Sequence, residues 1–304
     1  MLRRGPQVTV FLTVLFFLVS TLSGYAQEAA KEGATLAKES YNEGIKLLQG
    51  GKPDKAVSMF QVAVANDPNF IDAYLNLGVA YFEIQKYDEA LAQFEKVVQK
   101  DPKNIDGFAN LGRVQSKLKR RVEAEQAFQS ALALRPDDPS ILAELGKVQY
   151  IGNKYSDAIT TFEKCHTLGD GDETTYYYLG KSYQKQEKST QAIAALEKAL
   201  TYNAKSYNAH FALGQIYLGQ QKYAKAASSF KSAMQADPEK YQASYNYAVA
   251  VESQSPDDID ANVVNWNAFI RLAKNNPKAK NDVAIAEQHV KDLQDRKAKL
   301  QQGQ

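Results

Sequence analysis

The side chains able to do chemistry in this chain are few and poorly placed for it. Histidines stand at 166, 210 and 289, and none is three or four residues from another, so no helix face carries a histidine pair at metal-binding spacing. Cys165 is the only cysteine and adjoins His166. Neighbours on a helix point about 100° apart, which does not make a nucleophile and base pair. A lone cysteine also leaves no intrachain disulfide and no multi-cysteine metal site. Two acidic clusters, Asp170-Gly171-Asp172 and Asp257-Asp258-Ile259-Asp260, invite a calcium reading. Counting from Asp258, however, the sixth position is Val263 and the twelfth Phe269, where a helix-loop-helix site needs glycine and glutamate. These carboxylates are expected in turns and helix caps instead. There is no phosphate loop, dinucleotide fingerprint or serine elbow. The expectation is a protein without catalytic residues, cofactor or metal.

What the sequence builds instead is a repeat. Glycines recur at 44, 78, 112, 146, 180 and 214, always 34 residues apart. Twelve residues after each stands an alanine: Ala56, Ala90, Ala124, Ala158, Ala192 and Ala226. Four further on comes a bulky apolar residue, phenylalanine in every case but Leu196. Prolines close the register at 68, 102, 136 and 238. Apolar residues at helical spacing, broken by turns such as Gly50-Gly51-Lys52-Pro53, describe two antiparallel helices per repeat. Small residues at matched heights on both helices, the glycine and the alanine, would let their axes approach. The aromatic residue one turn beyond the alanine would fill the core between them. Proline stops the second helix, and Asp67, Asp101 and Asp237 before three of the prolines suit a turn.

This pattern resembles the tetratricopeptide repeat, a 34-residue helix-turn-helix unit. The resemblance covers six contiguous repeats, 37–70, 71–104, 105–138, 139–172, 173–206 and 207–240. A degenerate seventh is expected over 241–279, with Ala248 in the glycine's place and five added residues. Residues 280–304 follow, with Val283, Ala286, Val290, Leu293 and Leu300 on one face. They read as an amphipathic cap over the last repeat, or as a short dimerising coiled coil. The implied fold is all-α, a right-handed superhelical solenoid with a C-terminal capping helix.

Upstream, Arg3 and Arg4 precede an uncharged apolar run from Val8 to Leu22, and Gly24, Tyr25 and Ala26 end it in a small-x-small pattern. Residues 1–26 therefore read as a bacterial export signal cleaved after Ala26, with 27–36 a short linker. The run is shorter than the ~20 residues of a spanning helix, so an uncleaved inner-membrane anchor is the alternative and no stable span is expected after cleavage. Without Arg3 and Arg4, the 37 basic residues fall to 35, equal to the 35 acidic ones. That balance argues against nucleic acid as a partner. The expected location is the periplasm.

The resemblance also implies that the first helix of each repeat lines a groove for a protein or peptide partner. Groove registers lie three before, one after, and four or five after each glycine. They hold Tyr41, Ile45, Leu75, Val79 and Phe82 in the first two repeats and Phe211 and Tyr245 in the last two. Between them stand Arg113, Lys117, Lys147, Lys181 and Lys185, without an acidic residue at these registers in repeats three to five. Such a stripe suits an acidic segment; solvated surface charge and polyanionic glycans or head groups are the other readings. The implied function is an exported, non-enzymatic scaffold. A self-assembling solenoid and an accessory subunit of an envelope enzyme complex remain alternatives, and the oligomeric state is open.

Overall fold

The structure, a computed structural model, describes residues 6–169 and 171–302, with side chains described from Gln27 onward other than Ala29. Among the described residues are α-helices and one 3-10 turn, without strands. They fall into two compact units, 1–136 and 137–304. The first holds α1 (Pro6–Gln49), α2 (Pro53–Asn66), α3 (Ile71–Glu83), α4 (Tyr87–Lys100), α5 (Ile105–Lys117) and α6 (Arg121–Leu134). The second begins with α7 (Pro139–Ile151), α8 (Tyr155–Thr167), α9 (Glu173–Lys185), α10 (Ser189–Tyr202), α11 (Tyr207–Gly219) and α12 (Tyr223–Ala236). It ends with α13 (Tyr241–Gln254), α14 (Ile259–Ala273), the 3-10 turn Pro277–Ala279 and α15 (Lys280–Gln301). Odd and even helices pair within each repeat, and each pair packs on the next within its unit.

The pairing depends on a contact that spacing alone misassigns. A Cβ built on Gly44, Gly78, Gly112, Gly146 or Gly214 would stand 2.5–2.7 Å from the ring carbon Cε1 of the phenylalanine sixteen residues on. On Gly180 it would stand 2.7 Å from Leu196 Cγ. The glycine thus makes room for the bulky side chain, not for the alanine as its height suggested, because the ring lies across the helix crossing. The six alanines at the register twelve residues after the glycines are wholly buried, as are the phenylalanines opposite the glycines.

Seven residues after each glycine the chain enters left-handed backbone, at Gly51, Gln85, Lys119, Asn153, Glu187 and Gln221, with φ between 58° and 67°. There the first helix closes in a paired hydrogen-bond motif. In repeat two, Lys86 N–H donates to Tyr81 C=O (2.9 Å) and Gln85 N–H to Phe82 C=O (3.0 Å), and the same two bonds recur in the other five. The second helix starts at once, so the turn fixes the angle of each pair. Asn104, Asp138, Asp172 and Ser206 cap the next first helices through their side chains. Asp67, Asp101 and Asp237 accept from the backbone two residues on, as their places before proline suggested.

Repeats two, five and six are each tied to the preceding one by a tyrosine three residues after the glycine. The Tyr81 hydroxyl accepts from Gln61 Nε2 (2.8 Å) of the preceding repeat. Tyr183 donates to Glu163, and Tyr217 bonds Glu197. Repeat three has Gln115 here, whose Oε1 is buried without a partner.

At the C-terminal end, α13 and α14 are joined by the lengthened turn. Asp258 caps α14 through Ala261 N–H, while Asp257 and Asp260 pair with Arg296 and Lys297 of α15. The acidic cluster therefore caps one helix and docks another. Val283, Ala286, Val290 and Leu293 bury the inner face of α15 against α14. Residues 27–36, expected as a linker, lie inside α1, since Glu28, Ala30, Lys31 and Glu32 are strong helix formers. The expected leader falls on residues 1–5, outside the described residues, and on 6–26, whose side chains are not described. Among the described residues no helix is long and apolar enough to cross a membrane; the run Val8–Leu22 lies outside that statement.

Candidate functional site

In the first unit the expected apolar lining is half-buried and packs on the core. Tyr41 lies 4.8 Å from Phe70 and 5.8 Å from Phe60 between ring centroids, and its hydroxyl accepts from Asn76 Nδ2 (3.2 Å). Burial, with Asp72 nearby, pushes the Tyr41 phenol above its ordinary range. Phe82 meets Tyr87 edge-on at 5.4 Å. Ile45, Leu75 and Val79 border the same cluster. These side chains keep one flank on the surface and spend the other on the fold. Arg113 is half-buried and donates to Asn110 Oδ1 (3.1 Å), while Lys117 stands exposed in the last turn of α5. Asn76 and Asn246 each bond a backbone carbonyl four residues back in their own helix, and Asn76 reaches the preceding repeat only at Tyr41.

The second unit sets Lys147 against a cluster of tyrosines, two of which, Tyr177 and Tyr178, share α9 with Lys181. Tyr150 stands 5.7 Å from Tyr155 and 5.2 Å from Tyr178, and Tyr177 stands 5.3 Å from Tyr178. Tyr178 in turn stacks on buried Phe162 at 6.5 Å. The Lys147 ammonium lies 6.0 Å from the Tyr178 ring centre, at the outer reach of a cation–π contact. Lys181 donates to Gln184 Oε1 (2.7 Å). Burial lowers its pKa below the usual lysine value, and the charge of Lys185 adds to the shift. Burial, reinforced by Tyr150, Tyr178 and Glu173, pushes Tyr177 up to about 12. Lys185 is exposed at the end of α9.

Among the described residues no carboxylate lies within ion-pair distance of Arg113, Lys117, Lys147, Lys181 or Lys185. Cations elsewhere do pair, as Arg120 does with Asp88 and Lys240 with Asp237. Phe211 stacks on Tyr207 at 5.5 Å and meets Phe230 edge-on, and Tyr245 meets Trp266 and Phe269 edge-on, each at 5.2 Å. Those two are walls rather than free anchors. Tyr150 and Tyr177 were overlooked in the sequence although they occupy the named registers, four after Gly146 and three before Gly180. Charge drew the reading past them.

The remaining reactive side chains are structural. Cys165 is buried, with its thiol 3.5 Å from Pro139 C=O. His166 Nδ1 bonds the Tyr176 hydroxyl at 2.6 Å, and His210 Nε2 lies 3.0 Å from Ala204 C=O. No group of three metal-ligating side chains occurs among the described residues, and Asp170 lies outside them. Asp172 takes Thr175 N–H (2.7 Å) and hydroxyl (2.8 Å) as a helix cap.

Comparison with known proteins agrees with this architecture. Two family profiles, each described as tetratricopeptide repeat, match residues 47–113 with 85–143 and 177–240 with 215–255. No curated protein sequence matches the chain. Among solved structures, the C-terminal part of a TPR repeat-containing protein from Cytophaga hutchinsonii is similar at 20% identity and TM-score 0.64, covering 79% of this chain and 98% of that one. YrrB, a TPR protein with an unusual peptide-binding site, is similar at 21% identity and TM-score 0.55, covering 65% and 97%. The APC/C hetero-tetramer Cut9-Hcn1 contains a similar chain at 24% identity and TM-score 0.59, covering 71% of this chain but 43% of that one. At these identities the likeness is one of fold.

Proposed function

The chain belongs to the tetratricopeptide repeat family, whose fold is a scaffold for protein–protein interaction, and from that premise we propose an exported, non-enzymatic adaptor. It holds an acidic segment of a partner protein against the lysine and tyrosine face of repeats four and five, in the bacterial cell envelope. The observation that carries this reading is the pair Lys147 and Lys181. Both are half-buried, Lys147 6.0 Å from the Tyr178 ring centre and Lys181 bonded to Gln184, and neither has a carboxylate partner among the described residues. Holding an ammonium partly out of water without a counter-ion costs free energy, and a bound carboxylate offsets that cost. Peptide binding described for YrrB, a protein of the same fold, supports a peptide as the carrier. The leader-like start, with Arg3, Arg4 and the small-x-small ending at Ala26, supports export. Arg113 and Lys117 add the same charge within the first unit.

The test is affinity capture from a native envelope extract with residues 27–304, unaltered beside Lys147→Glu with Lys181→Glu. One dominant protein, lost with the reversal and lost again when acidic residues of its bound segment are neutralised, is the expected result. Capture that survives the double reversal overturns the reading. N-terminal sequencing of the exported protein should begin at Gln27.

A further inference from the structure

The last repeat and the capping helix flank an open pocket of about 420 Å³ whose lining includes Tyr245, Val249, Glu252, Trp266, Ile285 and His289. Glu252 is the one carboxylate in that lining, which holds no lysine or arginine. Its side chain is only 21% exposed. Trp266 Nε1 donates to its Oε2 at 2.8 Å, and His289 Nε2 lies 3.0 and 2.8 Å from its two oxygens. The indole and imidazole nitrogens orient the carboxylate, and the imidazole is a counter-ion to it only in its protonated form. The nearby Asp257 and Asp260 are already paired with Arg296 and Lys297, whereas no lysine or arginine among the described residues lies within ion-pair distance of Glu252.

The walls are aromatic and set at steep angles. Trp266 stands 5.2 Å from Tyr245 at 80° and 5.2 Å from His289 at 74°. Ring faces attract cations, the more so where water is partly excluded, and a partly desolvated carboxylate beneath them demands one. Lysine and arginine also carry apolar stems that suit Val249 and Ile285. Tyr245, Val249 and Glu252 stand three before, one after and four after Ala248. Val249 stands at the register of Lys147 and Lys181 in their own helices, and Tyr245 and Glu252 at the groove registers beside it, so a polypeptide laid on that face meets the pocket directly.

We propose that this pocket receives the guanidinium or ammonium of an arginine or lysine side chain carried on an extended polypeptide. Glu252 is the counter-ion, Tyr245 and Trp266 are the walls, and His289 positions the carboxylate. The site stands independently of whether the lysine and tyrosine face takes an acidic segment.

Trp266 is the only tryptophan in the chain, so its emission reports occupancy of this pocket. The full chain is titrated at pH 8 with the peptide acetyl-Gly-Gly-Arg-Gly-Gly-amide and with versions carrying citrulline or norleucine in place of arginine. The arginine peptide is expected to change Trp266 emission saturably, with the two neutral peptides weaker by about tenfold or more. Glu252→Gln should abolish the preference for arginine. His289→Lys, which sets an internal ammonium against Glu252, should weaken the arginine peptide by about tenfold. Equal binding of citrulline or norleucine overturns the proposal, as does full arginine binding by Glu252→Gln or an emission unmoved by millimolar arginine peptide. Should either variant lose helical signal, the arginine and citrulline comparison on the unaltered chain decides alone.

Discussion

Replacing Gly146 by alanine tests the packing principle of the whole array. The new Cβ would stand 2.7, 2.8 and 2.9 Å from Cε1, Cζ and Cδ1 of Phe162, where carbon atoms rest at about 3.5–4.0 Å. The ring is 1% exposed and stacked beneath Tyr178, so it cannot swing aside. Overpacking of this kind costs about 1–3 kcal/mol. Against it, alanine gains up to about 1 kcal/mol over glycine inside a helix, leaving a net loss of about 0–2 kcal/mol. Gly219→Ala separates the two effects. That residue also lies in a helix, yet nothing stands within 4 Å of its added Cβ, so only the helical gain remains. Urea unfolding followed by circular dichroism should therefore move the midpoint down for Gly146→Ala and slightly up for Gly219→Ala. Combining Gly146→Ala with Phe162→Ala should cost less than the sum of the separate losses, because the clash disappears with the ring. Equal shifts of the same sign, or strict additivity in the cycle, would refute the argument.

Two further outcomes follow from the backbone and the phenols. Glu187→Gly relieves a non-glycine residue held at φ 59°, where the left-handed conformation costs about 1–2 kcal/mol. After the extra chain entropy of glycine is subtracted, the variant should unfold at slightly higher urea, and a clear drop in midpoint would contradict the turn geometry. Tyr177, Tyr183 and Tyr207 are each pushed up to about 12, burial being the largest cause. Absorbance titration should thus show a late class of phenols that ionises near pH 12 in the folded chain. Their stabilisation is complete below pH 10 and lost as pH rises toward 12, since the unfolded phenols release protons first. A single tyrosine class near pH 10 would count against the buried cluster.

The repeat was legible because its signal is carried by size. Glycine at one crossing, alanine at another and a bulky apolar residue one turn later recur through six repeats, with Leu196 standing in for the ring once. Which small residue faces the ring was not legible, because the glycine and the alanine are equally plausible by height. The left-handed turn was hidden for another reason. Only Gly51 and Asn153 announce it, while glutamine, lysine and glutamate fill the same place in the other repeats, so composition gives little warning. The cation pocket was out of reach for a third. Its parts, Glu252, Trp266 and His289, lie on three helices and meet only through the added residues of repeat seven. Charge alone was a poor guide at the lysine face too, where Tyr150, Tyr177 and Tyr178 give the amines their environment.

The tyrosine that ties repeats two, five and six to their predecessors bears on how such an array can grow. Tyr183 reaches back to Glu163, and Tyr217 makes the same bond to Glu197. Residues 173–206 therefore carry both halves of the linkage, the hydroxyl in front and the carboxylate behind. A tandem duplication of that segment would present Glu197 to a second Tyr183, reproducing a junction that already exists. Residues 105–138 lack this property, because Gln115 leaves its carbonyl oxygen unanswered at the same place. Some segments of this gene are thus ready for copying in frame and others are not, and lengthening the array should be inherited from repeat five sooner than from repeat three.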